Sequence, residues 1–432
     1  MKKYYFIIGI AAAMFAACSS SEEGLSQDGA NSIDEENMTR EQLMGTVPIE
    51  IAGVDLGMKV DVEVQEETRS GATAIPENQQ LGIFCLSYKK LASDDELAAS
   101  YFNWQDAATY RTLNRWQDNV KAHIQLNSES LGLMCWDDRD APRYYPKSDF
   151  FAYEFVAYQP YTEAVQYAQS TITAWIPLDG DDDLMYAVSD KPRNNVVTEE
   201  LAGYAYGNHY FSEVVSQGAI TDDHKPYFRF SHLLSKLIFN IKLKNVTAGH
   251  TFHVDGISIR NLPNIARLYL ASRTASGASV KNGQLTCFAN INSNSVPEAV
   301  RPYLTEKGAT GKGTYYLREK DGSSISDLMA GDDYKYTLST TDAKTIGDGI
   351  YIPASSGTLK IDIYLCDQNG SRSTTSEPIT VDAPAGGWQA GKFYNINVSI
   401  TPPKYFMDDT RGAINAWEAG VDVSSQDIEA EF

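Results

Sequence analysis

Leu234-Ser235-Lys236-Leu237-Ile238-Phe239-Asn240-Ile241-Lys242-Leu243 alternates: Leu237, Phe239, Ile241 and Leu243 fall on one side, Ile238, Asn240 and Lys242 on the other. Side chains of an extended backbone point to opposite faces in turn, so a period of two in branched and aromatic residues predicts a strand with one face in a core. The pattern recurs along the chain. Phe151, Tyr153 and Phe155 alternate with Ala152, Glu154 and Val156; Leu359, Ile361, Ile363 and Leu365 form another run, and Tyr394, Ile396, Val398 and Ile400 one more. Asp179-Gly180-Asp181, Lys281-Asn282-Gly283 and Asp367-Gln368-Asn369-Gly370 separate such runs with residues that favour turns. Many short strands punctuated this way predict an all-β chain of β-sandwiches. Short helical turns are expected at 94–99 and 118–123. A polar run with a proline, 221–226, marks the boundary between an N-terminal domain, 46–225, and a C-terminal domain, 226–432.

A longer alternation stands near the start. Val54, Leu56, Met58, Val60, Val62 and Val64 point one way while Asp55, Gly57, Lys59, Asp61, Glu63 and Gln65 point the other, which predicts a long amphipathic strand. It ends at Glu66-Glu67-Thr68-Arg69, and Ser70-Gly71-Ala72-Thr73 is a run of small residues. A basic residue there is an accessible protease site, with cleavage after Arg69 leaving Ser70 as the new terminus. Cutting at Arg40 would open no groove, and Lys59 lies inside the strand. Losing residues 46–69 as a removable first strand would leave an unpaired groove, able to accept a strand from another chain. The C-terminal tail is the candidate donor, because Val421, Val423, Ile428, Ala430 and Phe432 stand apolar among Asp422, Asp427, Glu429 and Glu431. Head-to-tail exchange does not close on itself and so builds a filament.

The first residues are an export signal. Lys2 and Lys3 precede an apolar stretch, 4–15, too short to span a bilayer, and Ala16-Ala17 are the small residues a signal peptidase needs, so 1–17 reads as a signal peptide. Cys18 directly after Phe15-Ala16-Ala17 resembles the lipobox of bacterial lipoprotein precursors, which implies that Cys18 is lipidated and anchors the protein to a membrane. Residues 18–45 are too polar to offset the entropy of ordering and read as a disordered tether. Ser19-Ser20-Ser21-Glu22-Glu23 resembles the acidic signal that sends some Bacteroidetes lipoproteins to the cell surface.

Composition narrows the function further. The 432 residues carry a formal charge of -21, which repels nucleic acid and anionic lipid headgroups. Besides Cys18, the cysteines Cys85, Cys135, Cys287 and Cys366 show no CxxC spacing; zinc is not expected, and buried free thiols are favoured over disulfides. Histidines lack ligand spacing such as HExxH, and His232 reads as a satisfied structural residue. Ser87-x-x-Lys90 lacks the companion motifs of an acylase. Asp179, Asp181 and Asp183 start like a calcium loop, but Leu184 stands where the glycine belongs, so a surface turn is expected. Trp388 and Trp417 read as core aromatics rather than glycan platforms. No nucleophile, base and orienting group assemble; neither an enzyme nor a cofactor or metal site is expected.

The segment at 227–243, YFRFSHLLSKLIFNIKL, with its F-x-H-x-L-S-K-L-x-F pattern, resembles the fimbrillins of Bacteroidetes, the Mfa-like and major-fimbrillin group, at the strand that opens their C-terminal domain. Leu81-Gly82-Ile83-Phe84 is similar to the group's first strand after its processing site, and 150–161, FFAYEFVAYQPY, to its aromatic strand. Asp183-Leu184-Met185-Tyr186-Ala187, Gly387-Trp388-Gln389-Ala390-Gly391-Lys392-Phe393-Tyr394 and Ile414-x-x-Trp417-x-x-Gly420 follow in the group's order. Pro76-Glu77-Asn78-Gln79-Gln80 departs from it, since many members carry Gly-Asp there. The resemblance implies two transthyretin-like β-sandwich domains and a lipidated precursor, trimmed by an extracellular, often arginine-specific, protease before polymerisation. It further implies a stalk or tip subunit of an outer-membrane fimbria serving adhesion, whose partners are other fimbrial subunits and a host or bacterial surface ligand. The competing expectation is a monomeric surface lipoprotein that binds glycan or host protein.

Overall fold

A computed structural model describes residues 40–51, 53–55, 80–90, 104–105, 115–126, 132–137, 143–147, 151–189, 225–244, 246, 250–272, 282–319, 324–325, 336–355, 357–367, 372–374, 378–401 and 419–427. The chain is all-β, with the short helices α1 (Arg40–Leu43) and α2 (Arg301–Glu306). The first sheet has eight strands in the order β11 (Tyr227–Arg229), β2 (Gly53–Asp55), β5 (Gly132–Trp136), β4 (Arg115–Leu126), β3 (Gln80–Lys90), β7 (Phe151–Gln159), β10 (Met185–Val188) and β12 (Ser231–His232). Its two outer members are consecutive in sequence, separated by Phe230, and Phe228 of β11 also bridges Ser189 at the end of β10. The sheet therefore curls until its edges meet, which removes the unpaired edge an open sheet would present. A separate ladder, β1 (Met44–Pro48) with β6 (Tyr144–Pro146), packs against it.

Three more sheets stand among the described residues. The second runs β16 (Leu285–Phe288), β15 (Ile265–Ser272), β9 (Thr171–Pro177), β8 (Val165–Tyr167), so it draws strands from both halves of the chain. The third runs β18 (Lys344–Pro353), β13 (Leu234–Leu243), β22 (Lys392–Ile400), β23 (Ala419–Asp427). The fourth runs β17 (Lys312–Tyr316), β14 (Phe252–Pro263), β19 (Leu359–Asp367), β20 (Arg372–Thr374), with β21 (Ile379–Val381) also on β19. Between β14 and β15 the chain changes sheets at Asn264, a buried residue whose Oδ1 accepts from the Gly311 amide at 2.7 Å. Its own amide donates to Gly311 O at 3.0 Å and its carbonyl accepts from Leu178 N at 3.0 Å. One residue, through its side chain and its main chain, thus satisfies the backbone where two ladders diverge.

Alternation in the sequence becomes burial. Leu237, Phe239, Ile241 and Leu243 of β13 and Tyr394, Ile396, Val398 and Ile400 of β22 join one large core with the inward residues of β14, β18 and β19. β7 is buried on both faces: Val156 and Tyr158 enter that core, while Tyr153, Phe155 and Ala157 enter a second one enclosed by the curled sheet.

Three expectations are corrected. Residues 118–123 are strand within β4, not helix: Trp116, Ala122 and Ile124 face the second core, and two bulges against β3, with Asn119 at φ 49°, break the alternation that would have shown it. The segment 227–232, expected to open the second domain, supplies β11 and β12 of the first sheet, so the chain leaves that sheet only at Leu234. The tether expected through residue 45 is already folded at Arg40, because Leu43 finds a buried place and Met44 pairs with Pro146. The helical turn expected at 94–99 lies outside the described residues.

Candidate functional site

The second core depends on the amino-terminal segment. Leu43 and Ile49 are buried in it beside Leu81, Ile83, Trp116 and Phe155, and Val47 and Ile51 pack partly against it. Backbone bonds hold the segment down: Ile49 N donates to Arg143 O at 2.7 Å, and Lys147 N donates to Leu43 O at 2.8 Å. Trp136 Nε1 donates to Ile49 O at 3.3 Å, and Lys225 Nζ meets Glu50 Oε2 at 3.0 Å. Beneath it, β6 is fixed by Trp116 Nε1 donating to Tyr144 O at 2.6 Å and by Tyr145 edge-on to Phe155 at 6.1 Å.

β2 then closes the sheet. It pairs in parallel with β11, Val54 opposite Phe228, and antiparallel with β5, Val54 opposite Gly132. Residues 40–55 therefore supply both a buried plug and the stave that joins β5 to β11. Burying an isoleucine or leucine is worth roughly 1.5–3 kcal/mol each. Two such side chains plus a strand's hydrogen bonds are a large share of a typical net stability of about 5–15 kcal/mol. A chain that lost this segment would keep two unpaired strand edges over an exposed apolar interior.

Of the expected site residues, Val54 lies in β2 at the centre of this arrangement. Leu56, Met58, Val60, Val62, Val64, the processing pair Arg69 and Ser70, and the lipidation residue Cys18 lie outside the described residues. Val421 and Val423 of the expected donor tail lie in β23, paired antiparallel with Val398 and Ile396 at the edge of the third sheet. Ile428, Ala430 and Phe432 lie outside the described residues, as does Trp417. The tail's described part is thus a strand of its own chain's sheet. Leu43 and Ile49 escaped the sequence reading because neither belongs to a periodic run; only Ile49 and Ile51, flanking Glu50, hinted at a strand.

The other expected residues settle into structural places. His232 Nδ1 bonds Asp183 Oδ2, tying β12 to the turn before β10. Asp181 Oδ2 accepts from Arg318 Nε at 2.7 Å, and burial followed by the Asp179 charge pushes the Asp181 carboxyl up to about 6. Among the described residues no group of three or more His, Cys, Asp or Glu is set to hold a metal ion. Trp388 is buried, its Nε1 donating to Gly357 O at 2.9 Å and its ring edge-on to Tyr394 at 5.0 Å. Cys85 and Cys366 are buried, and burial pushes the Cys287 thiol up to about 12, far from a reactive thiolate.

No family model matches the chain, and no curated protein matches it. Solved structures similar to it include fimbrial and adhesion proteins. A fimbrial protein from Bacteroides vulgatus is 15% identical, with 88% of this chain and 99% of that one covered at a TM-score of 0.42. A candidate cell adhesion protein from Bacteroides uniformis is 16% identical, over 88% and 98%, at 0.39. The fimbrial anchor protein Mfa2 from Porphyromonas gingivalis is 8% identical, over 89% and 100%, at 0.28. At these identities and scores no role is transferred from them.

Proposed function

We propose that this chain is the precursor of a cell-surface fimbrial subunit, stalk or tip, exported as a lipoprotein anchored through Cys18 and assembled by strand exchange after cleavage at Arg69. The observation that carries the reading is the double duty of residues 40–55. They lie upstream of Arg69, fill the second core with Leu43 and Ile49, and close the first sheet with β2. Cleavage would cut them from the rest of the chain, and their departure would leave a gap between β5 and β11 that an extended segment of another subunit fits by main-chain pairing and side-chain burial. The donor would be the tail from Val421 onward, peeled from β22. Edge strands are the part of a sheet that can leave without breaking a ladder on both sides.

One observation favours a second reading, a monomeric surface lipoprotein that binds glycan or host protein. β23 pairs with β22 along its whole length, so Val421 and Val423 of the tail already stand in a ladder of their own chain. Mass measurement on protein taken from cells separates the two. A chain beginning at Ser70 without lipid supports the fimbrial subunit; an intact chain with acyl groups on Cys18 supports the monomer. In either case Cys18→Ser is expected to release the unprocessed protein from membranes, and membrane retention of that variant would contradict the anchor.

A further inference from the structure

Beside β8, at the outer edge of the second sheet, a cavity of about 420 Å³ opens between Glu163, Gln166 and Tyr167 on one side and Tyr303 of α2 on the other. Alanine and valine side chains, Ala164 and Val300 among them, form the rest of its wall. We propose that this cavity is a carbohydrate subsite that takes a neutral pyranose.

A sugar ring offers an apolar C–H face and a rim of hydroxyls, each both donor and acceptor, so its site needs a flat aromatic surface and fixed polar groups of both kinds. The cavity falls within the range of small-molecule sites, roughly 300–1,000 Å³. Gln166 Oε1 accepts from the buried Trp175 Nε1 at 3.0 Å, which orients the amide and leaves Nε2 as a donor. Glu163 supplies the acceptor; Lys121 Nζ stands 3.9 Å from its carboxylate. Tyr167 is held rigid, with its hydroxyl donating to Asp118 Oδ1 at 2.7 Å and the Arg115 guanidinium 4.1 Å from its ring centroid. Tyr303 lines the cavity and would supply the stacking surface, with Lys307 Nζ 5.9 Å from its ring centroid. Among the residues lining the cavity the single charge is the carboxylate of Glu163, and Lys121 beside it offsets that charge, so the lining offers no cation to pair with a sialylated, sulfated or phosphorylated sugar. An extended peptide added to β8 is the rival occupant, but β8 offers a ladder of only three residues and such a peptide would leave the oriented amide unused. The subsite lies on the second sheet and stands apart from strand exchange.

The test is saturation-transfer NMR on the purified full chain. The probes are methyl glycosides of glucose, mannose, galactose and N-acetylglucosamine, with sialic acid and a Val-Thr hexapeptide as contrasts. At least one neutral glycoside should bind at millimolar concentration, with affinity falling about tenfold in Tyr303→Ala and in Gln166→Glu, which keeps an acceptor for Trp175 Nε1, a loss of the size expected for one stacking surface or one hydrogen bond. Should Tyr303→Ala unfold, Gln166→Glu, which replaces the donor with a second carboxylate, carries the expectation alone. Silence from all four neutral glycosides, binding unchanged in the variants, or binding of sialic acid or the hexapeptide alone would each overturn the proposal.

Discussion

Gly82 sets how closely β7 lies against β3. It stands opposite Tyr158, and a Cβ there would sit 2.2 Å from Tyr158 Cε1, closer than any packing allows. The ring cannot swing aside freely, because its hydroxyl donates to Asn119 Oδ1 at 2.8 Å and accepts from Thr162 N at 3.3 Å. Gly82→Ala should therefore cost about 2 kcal/mol, the usual scale for overpacking, read as a lower urea midpoint at unchanged slope. Asp181 makes a prediction about pH. Its folded carboxyl titrates near 6 rather than 3.8, first because of burial and then because of Asp179, with Arg318 opposing the rise. A folded state that holds the proton more tightly than the unfolded chain is favoured below the unfolded value and loses that advantage as pH rises through about 6. Relative to the parent, Asp181→Asn should lose less urea resistance between pH 4 and pH 7; equal losses in both proteins would show that the Asp181 carboxyl does not titrate differently on folding. At this scale the sequence was legible where chemistry is local. Gly180 in the Asp179-Gly180-Asp181 turn has φ 97°, as a turn glycine should, whereas the reason for Gly82 lies in a residue of another strand and leaves no local mark.

Strands announce themselves when one face is buried and the ladder is regular. β22 satisfies both conditions, and β13 and β19 keep their own alternation because the extra residues of their bulges lie in the partners, β18 and β14. β4 failed the second, because bulges against β3 shift its register twice. β2 carries Val54, the first residue of the long alternation, but its importance comes from having partners on both sides, which no local pattern records. The ladder of β1 and β6 joins residues far apart in the chain, so the plug formed by Leu43 and Ile49 was legible only after folding. The structure makes that plug testable without a protease. Ile49→Asp places a charge where a buried side chain stood and should loosen residues 40–55 enough for the uncut chain to oligomerise. Size-exclusion chromatography with light scattering checks it: the expected result is species larger than a monomer. A variant that is destabilised yet strictly monomeric would mean the segment supports the fold without guarding a strand site.

Across the whole molecule the all-β reading holds, but the division into two halves is less clean than composition indicated. The second sheet takes β8 and β9 from one half and β15 and β16 from the other, and the large core joins residues of the first sheet to those of the third and fourth. A boundary read from a polar run assumes that the chain finishes one sheet before beginning the next; β11 and β12 show that it returns to the first sheet after that run. The same return makes assembly by strand exchange physically coherent, since a sheet closed by β2 opens when β2 goes. Cleavage at Arg69 with self-association read on the same sample tests this most directly. The purified full chain is treated briefly with trypsin, the new terminus is sequenced, and the product is sized by light scattering. The expected result is a first cut after Arg69, a chain beginning at Ser70, and conversion of monomer to oligomers, with Arg69→Ala remaining monomeric under the same treatment. A first cut elsewhere, a cut chain that stays monomeric, or Arg69→Ala assembling as readily as its parent would contradict it.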